Sequence, residues 1–131
     1  MNEYLTKLDY GDMVVDSTNI DLFWLEGESK ITQFEQVDFI KRLYFGYLDI
    51  SPETTDAIFD LMLIEKTEHG FLYGKTGWAI RNGQNIGWFV GCLENPGEHL
   101  MFFAINIQPN EEFNMDMFPM IRKDISLKAL Q

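Results

Sequence analysis

Between residues 70 and 108 the chain sets apolar, aromatic-rich runs against turn signatures, and this pattern leaves few folds open. Residues 71–81 form the first run. Asn82-Gly83 follows, and both residue types accept the positive φ that a two-residue hairpin demands. Residues 86–94 make the second run, Asn95-Pro96-Gly97 the next turn, and residues 100–107 a third run nearly continuous in apolar side chains. His69-Gly70 marks the turn that leads in. The pattern predicts three consecutive antiparallel strands.

Helical signals flank this sheet. Thr32-Gln33-Phe34-Glu35 is a capping-box pattern, and Phe34, Val37, Ile40 and Tyr44 follow at three- and four-residue steps as the expected apolar face. Gly46 lies near that helix's end. Ser51-Pro52-Glu53 predicts a second start, with Ser as N-cap and Pro at the first position. Ala57, Ile58, Leu61, Met62 and Ile64 are its expected buried stripe. The acidic residues of both helices (Glu35, Asp38, Glu53, Asp56, Asp60) read as solvated faces. Residues 1–31 are irregular, with Gly and Asx turns that indicate loop and short helical pieces. Residues 109–116 form a polar connector, and residues 119–130 a C-terminal helix with Ile121 and Ile125 inward. The expected fold is a single α+β domain over 1–131: a loop region (1–31), two helices (32–66), a three-stranded antiparallel sheet (70–108) and a C-terminal helix (117–131).

Composition removes several function classes. A hydrophobic fraction of 46% fits a packed globular chain rather than a disordered one. The formal net charge is -11, so nucleic acid and anionic membrane surfaces are not expected partners. Cys92 is the only cysteine, which rules out an internal disulfide; in the apolar run Phe89-Val90-Gly91-Cys92-Leu93 it reads as a small core residue. His69 and His99 stand at turns with no acidic or Cys set at ligand spacing, so neither a metal site nor another cofactor is expected. The first residues lack the basic start and apolar core of a signal peptide, and no run approaches a membrane span. The chain as given is therefore expected to be soluble and cytoplasmic.

Chemistry concentrates in Leu72-Tyr73-Gly74-Lys75-Thr76-Gly77-Trp78. An ammonium and a hydroxyl supply two aimed donors for an acidic ligand, and Gly77 lets that ligand lie directly on the backbone. Residues 73–91, YGKTGWAIRNGQNIGWFVG, resemble the third motif and following hairpin of the penicillin-recognising serine enzymes, in particular class D (oxacillinase-type) β-lactamases and related sensor domains. Phe23-Trp24-Leu25-Glu26-Gly27 resembles that family's omega loop, and Tyr10-Gly11-Asp12 its Tyr-Gly-Asn motif. Asp12 replaces the Asn, and an ionised Asp accepts but does not donate. Met120-Ile121-Arg122-Lys123-Asp124-Ile125 resembles the start of the family's C-terminal helix.

The resemblance runs from about Leu8 onward and implies a β-lactam or peptidoglycan-like ligand. It implies that Lys75, Thr76, Gly77 and Arg122 hold the ligand and its carboxylate and that the Trp78 N–H is an oxyanion donor, with Tyr10, Gly11, Asp12 and Trp24 as active-site support. Trp24 also reads as a core anchor and Arg122 as a surface helix residue; the sequence leaves both pairs open. The family's nucleophile and base come from Ser-x-x-Lys, in which one helical turn sets Lys beside Ser. Here the residues three beyond Ser17, Ser29, Ser51 and Ser126 are Ile20, Thr32, Thr54 and Ala129. Ser17-Thr18-Asn19 matches the family's Ser-x-Asn letters but falls after the Tyr-Gly-Asn-like element instead of before it. The resemblance therefore implies the C-terminal half of such a fold, inactive by itself, from a family that is extracytoplasmic. In the whole fold the strand at 100–107 pairs with N-terminal strands. Here it is expected to pair with another copy or with a complementary N-terminal half.

Overall fold

The computed structural model describes residues 1–25, 27–67, 70–95, 97, 99–110 and 112–129. It is an α+β fold built on one antiparallel sheet of four strands, β1 Leu63–Thr67, β2 Gly70–Arg81, β3 Gln84–Asn95 and β4 His99–Ile107, paired in the order β1-β2-β3-β4. Helices α2 (Gln33–Tyr44) and α3 (Pro52–Met62) cover one face, and α4 (Phe118–Ala129) covers the other. A short helix, α1 (Asn2–Leu8), precedes an irregular segment, and a 3-10 turn at Met115–Met117 leads into α4.

The turn chemistry sets the register. Arg81 pairs with Gln84, leaving Asn82 (φ 51) and Gly83 (φ 75) as the two-residue loop. From there the ladder runs to Phe71↔Glu94, placing Lys75 opposite Val90 and Gly77 opposite Trp88. Period-two alternation then divides the side chains. Tyr73, Trp88, Val90, Phe102 and Ala104 pack with Ile40 and Met62 under α2 and α3. Leu72, Phe89 and Phe103 pack with Ile64, Leu93 and Leu127 on the α4 face.

Both helix starts form as the sequence indicates. The Thr32 side chain accepts from the Glu35 N–H while the Glu35 carboxylate accepts from the Thr32 N–H, and Ser51 accepts from the Thr54 N–H ahead of Pro52. These bonds satisfy N–H groups that the first helical turn leaves free.

Four expectations are corrected. The sheet has four strands, because α3 ends at Met62 and Leu63 turns extended (φ -62, ψ 116) to begin β1. Ile64 therefore leaves the helical stripe and, at a bulge between Leu63 and Glu65, joins the α4-side core. Ala57 and Leu61 are exposed, and Met62 carries the burial of α3. On α2, Phe34 is exposed and the buried line is Gln36, Ile40 and Leu43. On α4, Ile125 is exposed; Phe118 and Ser126 are buried, with Arg122 between them at four-residue steps. The turn positions His69 and Pro96 and the omega-loop Glu26 lie outside the described residues.

Candidate functional site

A cleft of about 530 Å³ opens where β2 meets the irregular segment and α2. Lys75, Thr76, Gly77 and Trp78 form one wall, Val90 and Trp88 the floor, and Tyr10, Met13, Trp24 and Gln36 the far side. β1 pairs only with Gly70–Tyr73, so from Gly74 onward the outer edge of β2 has no strand against it among the described residues. An extended or planar ligand can reach backbone donors and acceptors there.

The glycine at 77 is not explained by folding. Its φ is not positive, and a Cβ built on it would meet only the Trp88 Cβ, at an ordinary 3.5 Å. Gly87 differs: a Cβ there would lie 2.7 Å from the Phe118 ring. Gly87 is needed for packing, and Gly77 is not.

Around it the polar groups are ordered. Lys75 Nζ donates to the Thr76 carbonyl at 2.7 Å. Arg122 lies behind the strand on the α4 face and is not on the cleft wall. Its Nη1 donates to the Gly77 carbonyl at 2.6 Å, and its guanidinium lies 5.9 Å from the centre of the Trp78 ring. Partial burial lowers its pKa. Buried Ser126 donates to the Arg122 carbonyl at 2.7 Å, and Trp78 rests edge-on against Phe118 at 5.2 Å, so α4 is keyed to this point of β2. Trp78 Nε1 donates to Asn85 Oδ1 across the hairpin, 2.8 Å.

Of the support residues, the structure brings Tyr10 and Trp24 to the cleft and leaves Gly11 and Asp12 off it. Trp24 is half-exposed, with the buried Phe23 beneath it at 4.9 Å, so Phe23 is the core anchor and Trp24 the wall. Tyr10 packs on Phe39 at 4.6 Å; burial raises its pKa, while a hydrogen bond with Gln36 acts the other way. Asp12 is exposed, and its backbone forms a two-bond bridge with Lys30 at 2.8 Å in each direction. Gly11 serves that bridge: its φ is +61, and a Cβ would sit 2.7 Å from the Lys30 carbonyl.

Three cleft residues escaped the sequence reading. Arg81 donates from Nη1 to the Gly27 carbonyl, tying the end of β2 to the loop that carries Trp24. Gln36 enters by the helical period, one position away from the stripe drawn through Phe34 and Val37. Ser29, 2% exposed, lines the cleft, but its Oγ accepts from the Val14 N–H (3.0 Å) and donates to the Val14 carbonyl (3.2 Å). Ser17 stands in an exposed turn away from the cleft, where Asp16 accepts from the Thr18 N–H at 2.7 Å. Among the described residues no group of His, Cys, Asp or Glu has the arrangement of a metal site, and no helix is long and apolar enough to cross a membrane.

A Lys-Thr-Gly strand edge with no strand against it among the described residues, and a helix pinned behind it, form the arrangement that the resemblance to the penicillin-recognising enzymes implies. Residues 1–118 match the family model described as the penicillin binding protein transpeptidase domain, and the chain belongs to that family. Its relatives are class D β-lactamases. It is 31% identical over 125 residues to β-lactamase OXA-48 of Klebsiella pneumoniae, covering 95% of this chain and 46% of that one. It is 39% identical over 108 residues to OXA-2 of Salmonella typhimurium, covering 82% and 37%. Among solved structures, the class D β-lactamase YbXI from Nostoc superposes with a TM-score of 0.84 at 40% identity, covering 99% of this chain and 54% of that one. FUS-1 (OXA-85) from Fusobacterium nucleatum subsp. polymorphum gives 0.84 at 37% identity, covering 98% and 51%. The chain thus spans about half the length of the relatives it matches.

Proposed function

We propose that these 131 residues recognise a β-lactam, or a peptidoglycan-like acidic small molecule, on the Lys75-Thr76-Gly77-Trp78 edge and do not hydrolyse it by themselves. The observation that carries this reading is Gly77, a glycine that the chain's own packing does not require, at the open edge of β2. Lys75 and Thr76 hold the ligand's carboxylate, and the Trp78 N–H faces the carbonyl oxygen that gains charge. Arg122 is a positioning residue: its hydrogen bond fixes the Gly77 carbonyl and hence the neighbouring peptide planes. Trp24 and Tyr10 supply an apolar wall.

The hydrolytic step needs an activated nucleophile, and none is assembled from these residues. No serine is followed by Lys at the third position, and Ser29, the serine in the cleft wall, spends its hydroxyl on Val14. Removal of a nucleophile costs more than removal of one oxyanion donor, which alone is about a hundred- to a thousand-fold.

The test pairs intact-mass measurement with calorimetric titration, using a slowly hydrolysed penicillin. Saturable binding without a mass change is expected, lost in Lys75→Ala and in Gly77→Ala, the latter with an unchanged melting temperature. Addition of one antibiotic mass would overturn the non-hydrolytic reading. No binding at all would overturn recognition and leave an inherited, idle strand.

A further inference from the structure

Eight asparagines occur in the chain, and only Asn82 is followed by glycine. Asn95 precedes proline, which has no N–H, and the other six precede Glu, Ile or Met, whose side chains crowd the next backbone nitrogen. Asn82-Gly83 is the tip of the β2–β3 hairpin. Both residues are exposed, and a Cβ built on Gly83 would meet nothing within 4 Å, so the Gly83 nitrogen is unshielded. The neighbouring side chains hold partners: Arg81 donates to the Gly27 carbonyl, and Asn85 accepts from Trp78 Nε1. The Asn82 amide holds none among the described residues.

We propose that Asn82 is a self-modification site, where the Gly83 backbone nitrogen attacks the Asn82 side-chain carbonyl carbon and converts the residue to aspartate and isoaspartate. The step balances with water alone, and nothing is oxidised or reduced. The bond from the Gly83 nitrogen to Asn82 Cγ forms and the Cγ–Nδ2 bond breaks. Ammonia leaves with the proton that the Gly83 nitrogen gives up. Water then opens the cyclic imide. Opening at Cγ gives aspartate on the ordinary backbone, and opening at the main-chain carbonyl gives isoaspartate, whose main chain runs through Cγ. Ring closure takes the Asn82–Gly83 peptide out of the paired positive φ that the loop requires, so it proceeds from transient openings of the tip. Arg81↔Gln84 is the last pair of the ladder, which makes this the end that opens first. Either product sets a carboxylate one residue from Arg81, where it competes with the Gly27 carbonyl for the guanidinium. Isoaspartate also lengthens the main chain of a loop whose two residues fix the register of β2 on β3. The modification thus unties the end of β2 from the loop that carries Trp24. The inference does not rest on β-lactam recognition.

The test ages the folded chain in mildly alkaline buffer, because the attack needs a deprotonated Gly83 nitrogen. It is followed by isoelectric focusing and by peptide mapping that separates aspartate from isoaspartate. A more acidic form is expected to accumulate, with both products at position 82. Asn82→Gly should abolish that form in a chain that still folds, since glycine also accepts the positive φ. Asn82→Asp installs the charge without lengthening the main chain. Leu22 and Leu25 N–H groups bond within the loop that carries Trp24, and their hydrogen exchange should quicken in Asn82→Asp and further in the aged chain. An Asn82 that converts in urea but stays intact in the folded chain overturns the proposal, because the turn then holds the nitrogen away. Conversion that begins at another asparagine overturns it too. Conversion at Asn82 with unchanged exchange at Leu22 and Leu25 overturns the coupling to the cleft loop.

Discussion

Cys92 lies in the middle of β3 with none of its surface exposed. Burial first, and then the charge of Glu94, push its thiol up to about 12 from an ordinary 9.0. The thiolate is the nucleophilic form, so native Cys92 should not react with a thiol reagent at pH 8, and one equivalent should react after denaturation. The same shift fixes a sign. Above pH 9 the unfolded chain releases a proton that the folded chain keeps, so Cys92 contributes its full stabilisation below 9.0 and loses it as pH rises through about 12. Tyr10, Tyr44 and Tyr73, all raised chiefly by burial, act in the same direction above their ordinary 10.0. Melting temperature should therefore fall from about pH 9 upward, and Cys92→Ala should make that limb shallower. Arg122 offers a second residue-scale test. Its charge-assisted bond to the Gly77 carbonyl is half-shielded from water, so Arg122→Leu should cost about 1 to 2 kcal/mol in urea unfolding, and Arg122→Lys, lacking the planar fork, should recover only part of that.

Among the elements, α2 shows how far local signals reach. Its capping box was legible because four letters, Thr-x-x-Glu, specify both halves of a reciprocal hydrogen bond. Thr32→Ala should cost about 1 kcal/mol in denaturant unfolding, and Glu35→Ala should lose the complementary half. The hairpin was legible for the same reason, since Asn82 and Gly83 must both take positive φ. The buried face of α2 was not. Gln36, Ile40 and Leu43 are its sealed residues, and a reading that follows hydrophobicity passes over a buried glutamine and selects Phe34, which is solvent-exposed. β1 was hidden because α3 passes into it without Gly, Pro or a change of composition; the sheet alone, by pairing Leu63 with Tyr73, converts a helical continuation into a strand. The site divides along the same line. Lys75, Thr76, Trp24 and Arg122 could all be named from motif letters, whereas the place of Arg122 behind the strand, on the Gly77 carbonyl, and the burial of Gln36 depend on how separate elements meet.

At the scale of the whole molecule, the sheet has two unequal edges. Beyond Tyr73, β2 has no strand against it among the described residues, and there it carries the candidate ligand groups. β4 forms the opposite edge, pairing with β3 on one side and with no strand on the other among the described residues. Its residues Leu100 and Met101 are 37% and 43% exposed. An edge of nine residues, His99–Ile107, without a charged or Pro residue after its first position, is a template for another strand, because its outward N–H and C=O groups have no partner. Alone in solution the chain should therefore associate through β4 as concentration rises, and sedimentation equilibrium should detect a monomer–dimer equilibrium. Met101→Lys puts a charge on that edge without touching the core beneath Phe103, and it should shift the equilibrium toward monomer about tenfold or more while leaving the melting temperature of the monomer unchanged. A dimer equally strong in Met101→Lys would place the contact elsewhere. The apolar hollow of about 280 Å³ lined by Leu43, Ile58 and Met62 is then the surface to compare, because a copy seated there and one that extends the sheet bury different residues.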